Sequence, residues 1–429
     1  MQTDFSAQQL ADPDIALADS ILRKCVHCGF CTATCPTFTL LGDEADSPRG
    51  RIYLIKEYLE KGGAPSANLV THLDRCLTCL SCMTTCPSGV DYRRLVDMAR
   101  HRMEEDHGRS MADQLTRRLL AYILPNPGLF RLSLKASSFF RLFAKMLPDP
   151  LRGMVEMAPR HLPPLSSMDG PAIHLSKKKQ KMRVALLTGC AQKVIRPSIN
   201  EATIRLLTRL GAEVVVPEGG GCCGALAHHL GREEQAKAAA RANIAAWKGL
   251  GEIDAVVSNA SGCGFVVKEY GFLLRGEPDE PEGKAMAALC LDVTEVVECL
   301  GLPNKGPEDL PLISYHAACS LQHGLGIKDS PPNLLRQVGF EVRRPAEEHL
   351  CCGSAGTYSV LQAELSDRLK ERKLKNLSRC GGAVIATGNI GCLEHLSNEA
   401  AVPVVHTVEL LDWATGGPKP PGMDLLDGR

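Results

Sequence analysis

The sequence predicts a multidomain α+β chain. It comprises a helical N-terminal unit that binds metal clusters through cysteine, a helical connection rich in proline, and two α/β units related by duplication. Three observations predict this. Two identical cysteine runs, each closed by proline, lie before residue 90. Four further cysteine positions recur after a constant interval of 129 residues. Around them, short apolar runs alternate with stretches of helical periodicity.

The chain has 429 residues, with 49 basic and 49 acidic side chains, so its formal net charge is zero. That balance excludes a bulk electrostatic grip on nucleic acid, and no nucleic-acid partner is expected. Hydrophobic content of 44% and charged content of 23% are ordinary for a globular protein. The unusual figure is 19 cysteines. The N-terminal MQTDFSAQQLADPD is acidic and lacks the apolar stretch of a secretory signal. No apolar run reaches the ~18–20 residues of a membrane span. The expected compartment is the reducing cytoplasm, where clustered cysteines read as metal ligands and not disulfides.

Cys25, Cys28, Cys31 and Cys35 have the spacing Cys-x-x-Cys-x-x-Cys-x-x-x-Cys before Pro36, and Cys76, Cys79, Cys82 and Cys86 repeat it before Pro87. Bacterial ferredoxins use this run, with the fourth cysteine ligating the other cluster. Three thiolates two residues apart can wrap one face of an iron–sulfur cube from a short irregular loop. The fourth opens a helix towards the neighbouring cube, and the proline after it suits a first helical turn, where a missing N–H costs nothing. The expected ligands of one 4Fe–4S cluster are Cys25, Cys28, Cys31 and Cys86; those of the other are Cys76, Cys79, Cys82 and Cys35. The alternative, a pair of zinc sites, favours separated Cys-x-x-Cys knuckles and histidine. His27, between two ligands, is expected to support them and not to ligate. Arg51–Lys61, stopped by Gly62 and Gly63, and Asp91–Asp106, stopped by Gly108, have helical periodicity. Residues 1–108 look like an α-helical ferredoxin domain with two 4Fe–4S clusters, as in quinone-linked dehydrogenase subunits.

Residues 109–181 form the connection, with Pro125, Pro127, Pro148, Pro150, Pro163 and Pro164. Leu129–Leu147 holds four of the ten phenylalanines. Its charges, Arg131, Lys135, Arg141 and Lys145, fall within an arc of about 120° at about 100° per residue. A basic amphipathic helix of this kind suits an anionic membrane interface; the alternative is an apolar face docked on this protein or a partner. Lys177, Lys178, Lys179 and Lys181 read as a solvated linker, although they would favour the same anionic surface.

The duplicated units are assigned to residues 182–307 and 308–429. Cys190, Cys222, Cys223 and Cys263 form the first series; Cys319, Cys351, Cys352 and Cys392 form the second. LLTRLGAEVVVP parallels LLRQVGFEVRRP, and DAVVSNASGC parallels GAVIATGNIGC. MRVALLTG, EVVVP and DAVVSN read as strands, and Ser198–Leu210 and Glu233–Leu250 as helices. Parallel strands with crossover helices follow. The cysteines then lie just past the carboxyl ends of strands, where open α/β sheets bind ligands. Gly189, Gly224, Gly262, Gly353 and Gly391 allow tight loops beside them. The alternatives to metal binding are buried core thiols and a metal-free relic of the fold. His316, His228 and His229 are candidate extra ligands for which surface or capping roles are expected. Cys290, Cys299 and Cys380 lie outside both series and are expected to pack in cores.

Cys-(31 residues)-Cys-Cys-Gly followed by a further cysteine resembles the cysteine-rich CCG repeat of heterodisulfide reductase and related subunits. The full motif of that family ends in Cys-x-x-Cys. Here Ala260 and Asn389 stand at the first position of that pair, so each half has four of the five family cysteines. The five-thiolate form supports a non-cubane cluster. Four thiolates leave a cubane iron–sulfur cluster, a zinc centre or a metal-free thiol set.

The stretches SILRKCVHCGFCTATCPTFTLLGDEADSPRGRIYLIKEYLEKG, HLDRCLTCLSCMTTCPSGVDYRRL, NASGCGFVVKEYG and HLCCGSAGTY resemble the iron–sulfur subunits of glycolate oxidase (glycolate dehydrogenase). The resemblance implies a complex in which FAD-containing dehydrogenase subunits oxidise glycolate, or a similar D-2-hydroxy acid. This chain would then pass the electrons singly through its two clusters towards a membrane quinone, from a peripheral position on the inner face of the cell membrane. No Gly-x-Gly-x-x-Gly opens a helix after a strand, and no nucleophile–base constellation stands out, so no catalytic residue is assigned to this chain. The alternatives are the electron-transfer subunit of anaerobic glycerol-3-phosphate dehydrogenase, which shares the layout, and a heterodisulfide-reductase-like thiol–disulfide module.

Overall fold

The computed structural model describes residues 1–106, 108–140, 155, 158–159, 162–303 and 306–426. The first unit is helical. Helix Pro13–Lys24 is capped by Asp12, whose side chain accepts the Asp14 amide, and Ile15, Ala18, Ile21 and Leu22 make its buried stripe. Helix Pro48–Lys61 is capped by Ser47 and stops at Gly62. With Ala67–Asp74 and Tyr92–Asp106 these helices enclose a core that includes Ile52, Ile55, Leu69, Leu73, Leu95, Val96 and Met103. Pro36 opens helix Pro36–Leu41 with Cys35 at its cap, as the sequence predicts. Pro87 behaves differently. The Cys86 carbonyl accepts the Gly89 N–H at 3.3 Å, closing a turn through Pro87, and the next helix starts only at Tyr92.

The connection contributes helices Met111–Ile123 and Pro127–Phe140. Phe130 and Leu134 of the second pack with Ala158 against Val194 and Ile195. Over this part the contact with protein runs through Phe130 and Leu134, beside the basic arc, while Leu129 and Leu132 on the opposite side are 37% and 64% exposed. The remainder of the Leu129–Leu147 stretch, from residue 141, lies outside the described residues.

Two sheets follow. Strands β1 (Ala172–His174), β2 (Met182–Leu187), β3 (Ala212–Val216), β4 (Ala255–Ser258) and β5 (Cys290–Asp292) stand in the order β1-β3-β2-β4-β5. Strands β6 (Ile313–His316), β7 (Val342–Arg343), β8 (Val384–Thr387) and β9 (Val404–His406) stand in the order β7-β6-β8-β9. All pairs are parallel except β1 with β3. Superposing the duplication carries β2, β3, β4 and β5 onto β6, β7, β8 and β9 in the same spatial order. The extra antiparallel edge, β1, comes from the stretch that the sequence assigns to the connection. Crossovers such as Pro197–Leu210, which ends at Gly211 with φ 116°, cover the sheets. The two sheets share one apolar core, which runs from Val184 and Leu186 to Val384, Ala386 and Leu411.

The helical unit is clamped to both repeats. Arg94 lies 3.3 Å over the Phe272 ring and, with Arg93, pairs with Glu269 at 2.5 and 2.8 Å. His228 pairs with Asp97 at 3.3 Å. Burial opposes both charges, yet His228 is raised and Asp97 is held at about 2. On the second repeat, the Tyr358 hydroxyl donates to the Arg75 carbonyl at 3.1 Å, and Thr84 meets His323 at 2.8 Å. Among the described residues, no helix is long and apolar enough to cross a membrane.

Candidate metal centres

The two ferredoxin-type loops share one backbone form. His27 and Gly29 flank Cys28 with φ of 55° and 85°, and Thr78 and Leu80 flank Cys79 with φ of 50° and 63°. Side chains rarely adopt positive φ, so three of these four positions are strained. Alternation of this kind turns successive N–H groups inward, making a concavity that suits an anionic group such as an iron–sulfur cluster. Three thiols on a loop of this backbone form fit a 4Fe–4S cluster in both runs.

The fourth thiols cross over. Cys25, Cys28, Cys31 and Cys86 line one small cavity with Pro48, Ile52 and Pro87, and Cys82 of the second run reaches its wall. Burial pushes the Cys31 thiol up to about 11, and neighbouring Cys25 and Cys86 add to the shift. Cys79 and Cys82 are both raised, first by burial and then by neighbours that include Cys76 and Cys35. Cys86 thus sits with the first run and Cys35 with the second. His27 stays at the rim of the first cavity, its Nε2 buried without a partner.

Sequence reasoning missed the charges beneath the second set. Arg51 is 1% exposed and Asp46 0%, and they pair at 3.2 Å. Arg51 also donates to the His72 carbonyl at 2.7 Å, to Thr37 at 3.0 Å and to Cys35 Sγ at 3.8 Å. Asp46 further holds His72 Nδ1 at 2.9 Å and Arg75 at 3.0 Å. Burial would raise the Cys76 thiol, but Arg51 and Arg100 outweigh it and bring it down; Tyr92 lies 3.6 Å from its sulfur. The available signal was Arg51 itself, which stands four residues before Ile55 on the apolar stripe of its helix.

All eight repeat cysteines line one cavity of ≈ 360 Å³, closed on the third side by Cys76, Leu77 and Leu80 of the helical unit. Leu80 packs with Cys223 of the first repeat, and Leu77 with Cys351 and Tyr358 of the second. Cys79 packs in the same cluster as Cys319 and Cys351. Within each repeat the thiols form a chain. Cys190 and Cys223 donate to Cys222, and the Gly224 N–H approaches its sulfur at 3.4 Å, holding Cys222 well below the usual thiol range. In the second repeat Cys319 and Cys352 act likewise on Cys351, with Sγ–Sγ 3.8 Å from Cys319 and the Gly353 N–H at 3.5 Å.

The glycine after each cysteine pair is required. Gly353 has φ 98°, and a Cβ there would lie 2.5 Å from the Ser366 carbonyl oxygen; at Gly224 the nearest contact is 3.1 Å, from the Ala236 carbonyl. Gly353→Ala is expected to destabilise the chain by about 2–4 kcal/mol and Gly224→Ala by less. Denaturation midpoints of the two variants check this, and equal losses would contradict it.

Where the five-cysteine motif has its extra thiol, Ala260 is buried and Asn389 does structural work. Asn389 accepts the Gly391 N–H at 2.9 Å and donates to Ser261 at 3.2 Å and Ser320 at 3.1 Å, and those hydroxyls meet at 2.7 Å. The position joins the two repeats. The histidines correct the expectation of surface or capping roles. His228 and His229 lie at the junction with the helical unit, and burial followed by the His228 charge lowers His229 to about 4. His316, at the end of β6, is 1% exposed and stands with Cys352 and Cys392, their donor atoms within 4.8 Å of one another. Cys290 and Cys380 are buried, as expected, but Cys299 is exposed. Val293, Val296, Val297 and Leu300 form the buried stripe of its helix, which turns residue 299 outward.

The family model "4Fe-4S dicluster domain" matches residues 21–90, and "Cysteine-rich domain" matches residues 184–268 and 313–397. The glycolate oxidase iron–sulfur subunit of Escherichia coli (strain K12) is 39% identical over 422 residues, covering 96% of this chain and 99% of that protein. The probable glycolate oxidase iron–sulfur subunit of Bacillus subtilis (strain 168) is 30% identical over 419 residues, 92% of this chain and 94% of that protein. Lactate utilization protein A of Geobacillus kaustophilus (strain HTA426) is 30% identical over 239 residues, 54% of this chain and 99% of that protein. The crystal structure of a hypothetical protein from Helicobacter pylori shares the fold, with a TM-score of 0.51 at 10% identity, over 89% of this chain and 75% of that one. With iron–sulfur loops, a duplicated cysteine-rich unit and near-complete coverage, the chain belongs to the family of glycolate oxidase iron–sulfur subunits.

Proposed function

We propose that this chain is the electron-transfer subunit of a dehydrogenase complex for glycolate or a similar D-2-hydroxy acid, standing between FAD-containing partner subunits and a membrane quinone. The observation that supports the reading is the position of Cys86 beside the first run and of Cys35 beside the second. Cys25, Cys28, Cys31 and Cys86 would hold one 4Fe–4S cluster; Cys76, Cys79, Cys82 and Cys35 would hold the other. A bound cluster supplies one-electron chemistry, at a potential set by ligation, hydrogen bonds to sulfur and exposure.

The chain's own residues orient and tune these sites. The two loops present N–H groups to a negative charge. Arg51, held by Asp46, places a fixed positive charge beside Cys35 and Cys76, and Tyr92 offers a hydroxyl to Cys76. Cys28 is exposed, whereas Cys76 and Cys82 are buried. The first site therefore has an outward side for a partner, and the second faces the repeats. The shorter relatives named for lactate utilization support 2-hydroxy acids as the substrate class. The repeat cysteines are candidates for further iron–sulfur or zinc centres. With Ala260 and Asn389 in place of the fifth thiols, they depart from the five-cysteine set on which a thiol–disulfide module would rest. We place the complex at the inner face of the cell membrane, peripherally.

The test is composition. The anaerobically purified chain is expected to carry about eight irons and eight sulfides in its ferredoxin-type sites. Four or fewer would overturn the reading.

A further inference from the structure

The two repeats are not chemically equivalent, and the difference lies in one side chain. His316 ends β6 in the second repeat. Its counterpart, 129 residues earlier at the end of β2, is Leu187, which is buried and has no donor atom. His316 is 1% exposed, and neither of its ring nitrogens has a nitrogen or oxygen partner. Its polar contact is with the Cys392 sulfur, a weak hydrogen-bond partner for a buried imidazole, so packing alone gives little reason for a histidine here. The ring instead stands with the thiols of Cys352 and Cys392, all three buried, with donor atoms within 4.8 Å of one another. Cys319 and Cys351 complete the surroundings, with their sulfurs 3.8 Å apart.

We propose that the second repeat holds a zinc ion through His316, Cys352, Cys392 and one thiolate of the Cys319–Cys351 pair, and that the first repeat, having Leu187, does not form this site. A closed, buried set of one nitrogen and three sulfur donors is the ligand type of structural zinc. Loading exchanges the three thiol protons for the ion, and the protons leave to solvent. No electron moves in this step. The ion would tie β6, the cysteine pair after β7 and the helix Ile390–Ser397 together beside the cavity that Cys352 and Cys392 line. The proposal rests on the repeat cysteines being metal-competent; it does not depend on the electron-transfer role of the ferredoxin-type sites.

The experiment is zinc-edge X-ray absorption, with zinc and iron analysis, on the full chain purified anaerobically. About one zinc per chain is expected, with a first shell of one nitrogen and three sulfurs. His316→Leu, which copies the first repeat, should lose the zinc to a chelator at least tenfold more readily while keeping the iron content and visible absorption of the unsubstituted chain. His316→Cys should keep it in an all-sulfur shell. Iron without zinc, an all-sulfur shell in the unsubstituted chain, or zinc retained unchanged in His316→Leu would each overturn the proposal. Should His316→Leu fail to accumulate, the first shell of the unsubstituted chain still decides. An iron count of four or fewer would strike the electron-transfer reading alone.

Discussion

Replacing Cys86 by serine is expected to empty the site of Cys25, Cys28 and Cys31, and to leave the site of its own run intact. Cys86 follows Cys82 by four residues and both line the cavity of the first run, but burial, Cys25 and Cys86 raise Cys31, whereas burial, Cys79 and Cys76 raise Cys82. The turn through Pro87 carries Cys86 there, while Cys35, capping helix Pro36–Leu41, stands among Cys76, Cys79 and Cys82. About half the cluster iron should go. Quinone reduction by the assembled complex should fall at least a hundredfold, while substrate still reduces the partner flavin. The electron paramagnetic resonance spectrum of reduced Cys86→Ser should match that of Cys28→Ser. A match to Cys79→Ser instead would contradict the exchange.

Asp46→Ala is expected to destabilise the helical unit by about 3–5 kcal/mol, the cost of leaving a buried charge without its partner. Asp46 is 0% exposed and accepts from Arg51, Arg75 and His72, while Arg51 is 1% exposed. Without the carboxylate, the Arg51 guanidinium stays buried, beside thiols that need its charge in register. The urea concentration that bleaches cluster absorbance should drop accordingly. The double variant Asp46→Ala with Arg51→Met should recover part of the loss, because an apolar replacement of a whole buried pair is close to neutral. No drop in the single variant would remove Asp46 and Arg51 from the account of the second site.

Ligand spacing is local, and that is why the ferredoxin-type sites were legible. Cys-x-x-Cys-x-x-Cys constrains one loop, and a loop needs few distant contacts to take its shape. The duplication was legible for a similar reason: equal intervals betray equal strand order, as β3-β2-β4-β5 and β7-β6-β8-β9 show. The residues that read poorly depend on contacts across the fold. Arg51 belongs to an apolar stripe only because Asp46 and the His72 carbonyl arrive from two other segments. His316 reads as a terminal strand residue until Cys352 and Cys392 close over it. Asn389 reads as a lost cysteine, but its neighbours, Ser261 and Ser320, make it the joint between repeats. Cys299 was expected in a core from composition, and helical phase turned it to the surface. That the Cys76–Cys82 loop wedges between the repeats could not be read from either motif alone, because Leu77 and Leu80 match apolar surfaces hundreds of residues later in the chain.

The most direct measurement of the central claim is freeze-quench paramagnetic resonance on the assembled complex, mixed anaerobically with glycolate in the absence of quinone. The unsubstituted complex should show both four-thiol centres reduced. Cys86→Ser should show reduced partner flavin with the second centre, at Cys76, Cys79, Cys82 and Cys35, still oxidised. Centres that remain oxidised while the unsubstituted complex turns over, or a second centre reduced as fast without the first, would contradict the relay.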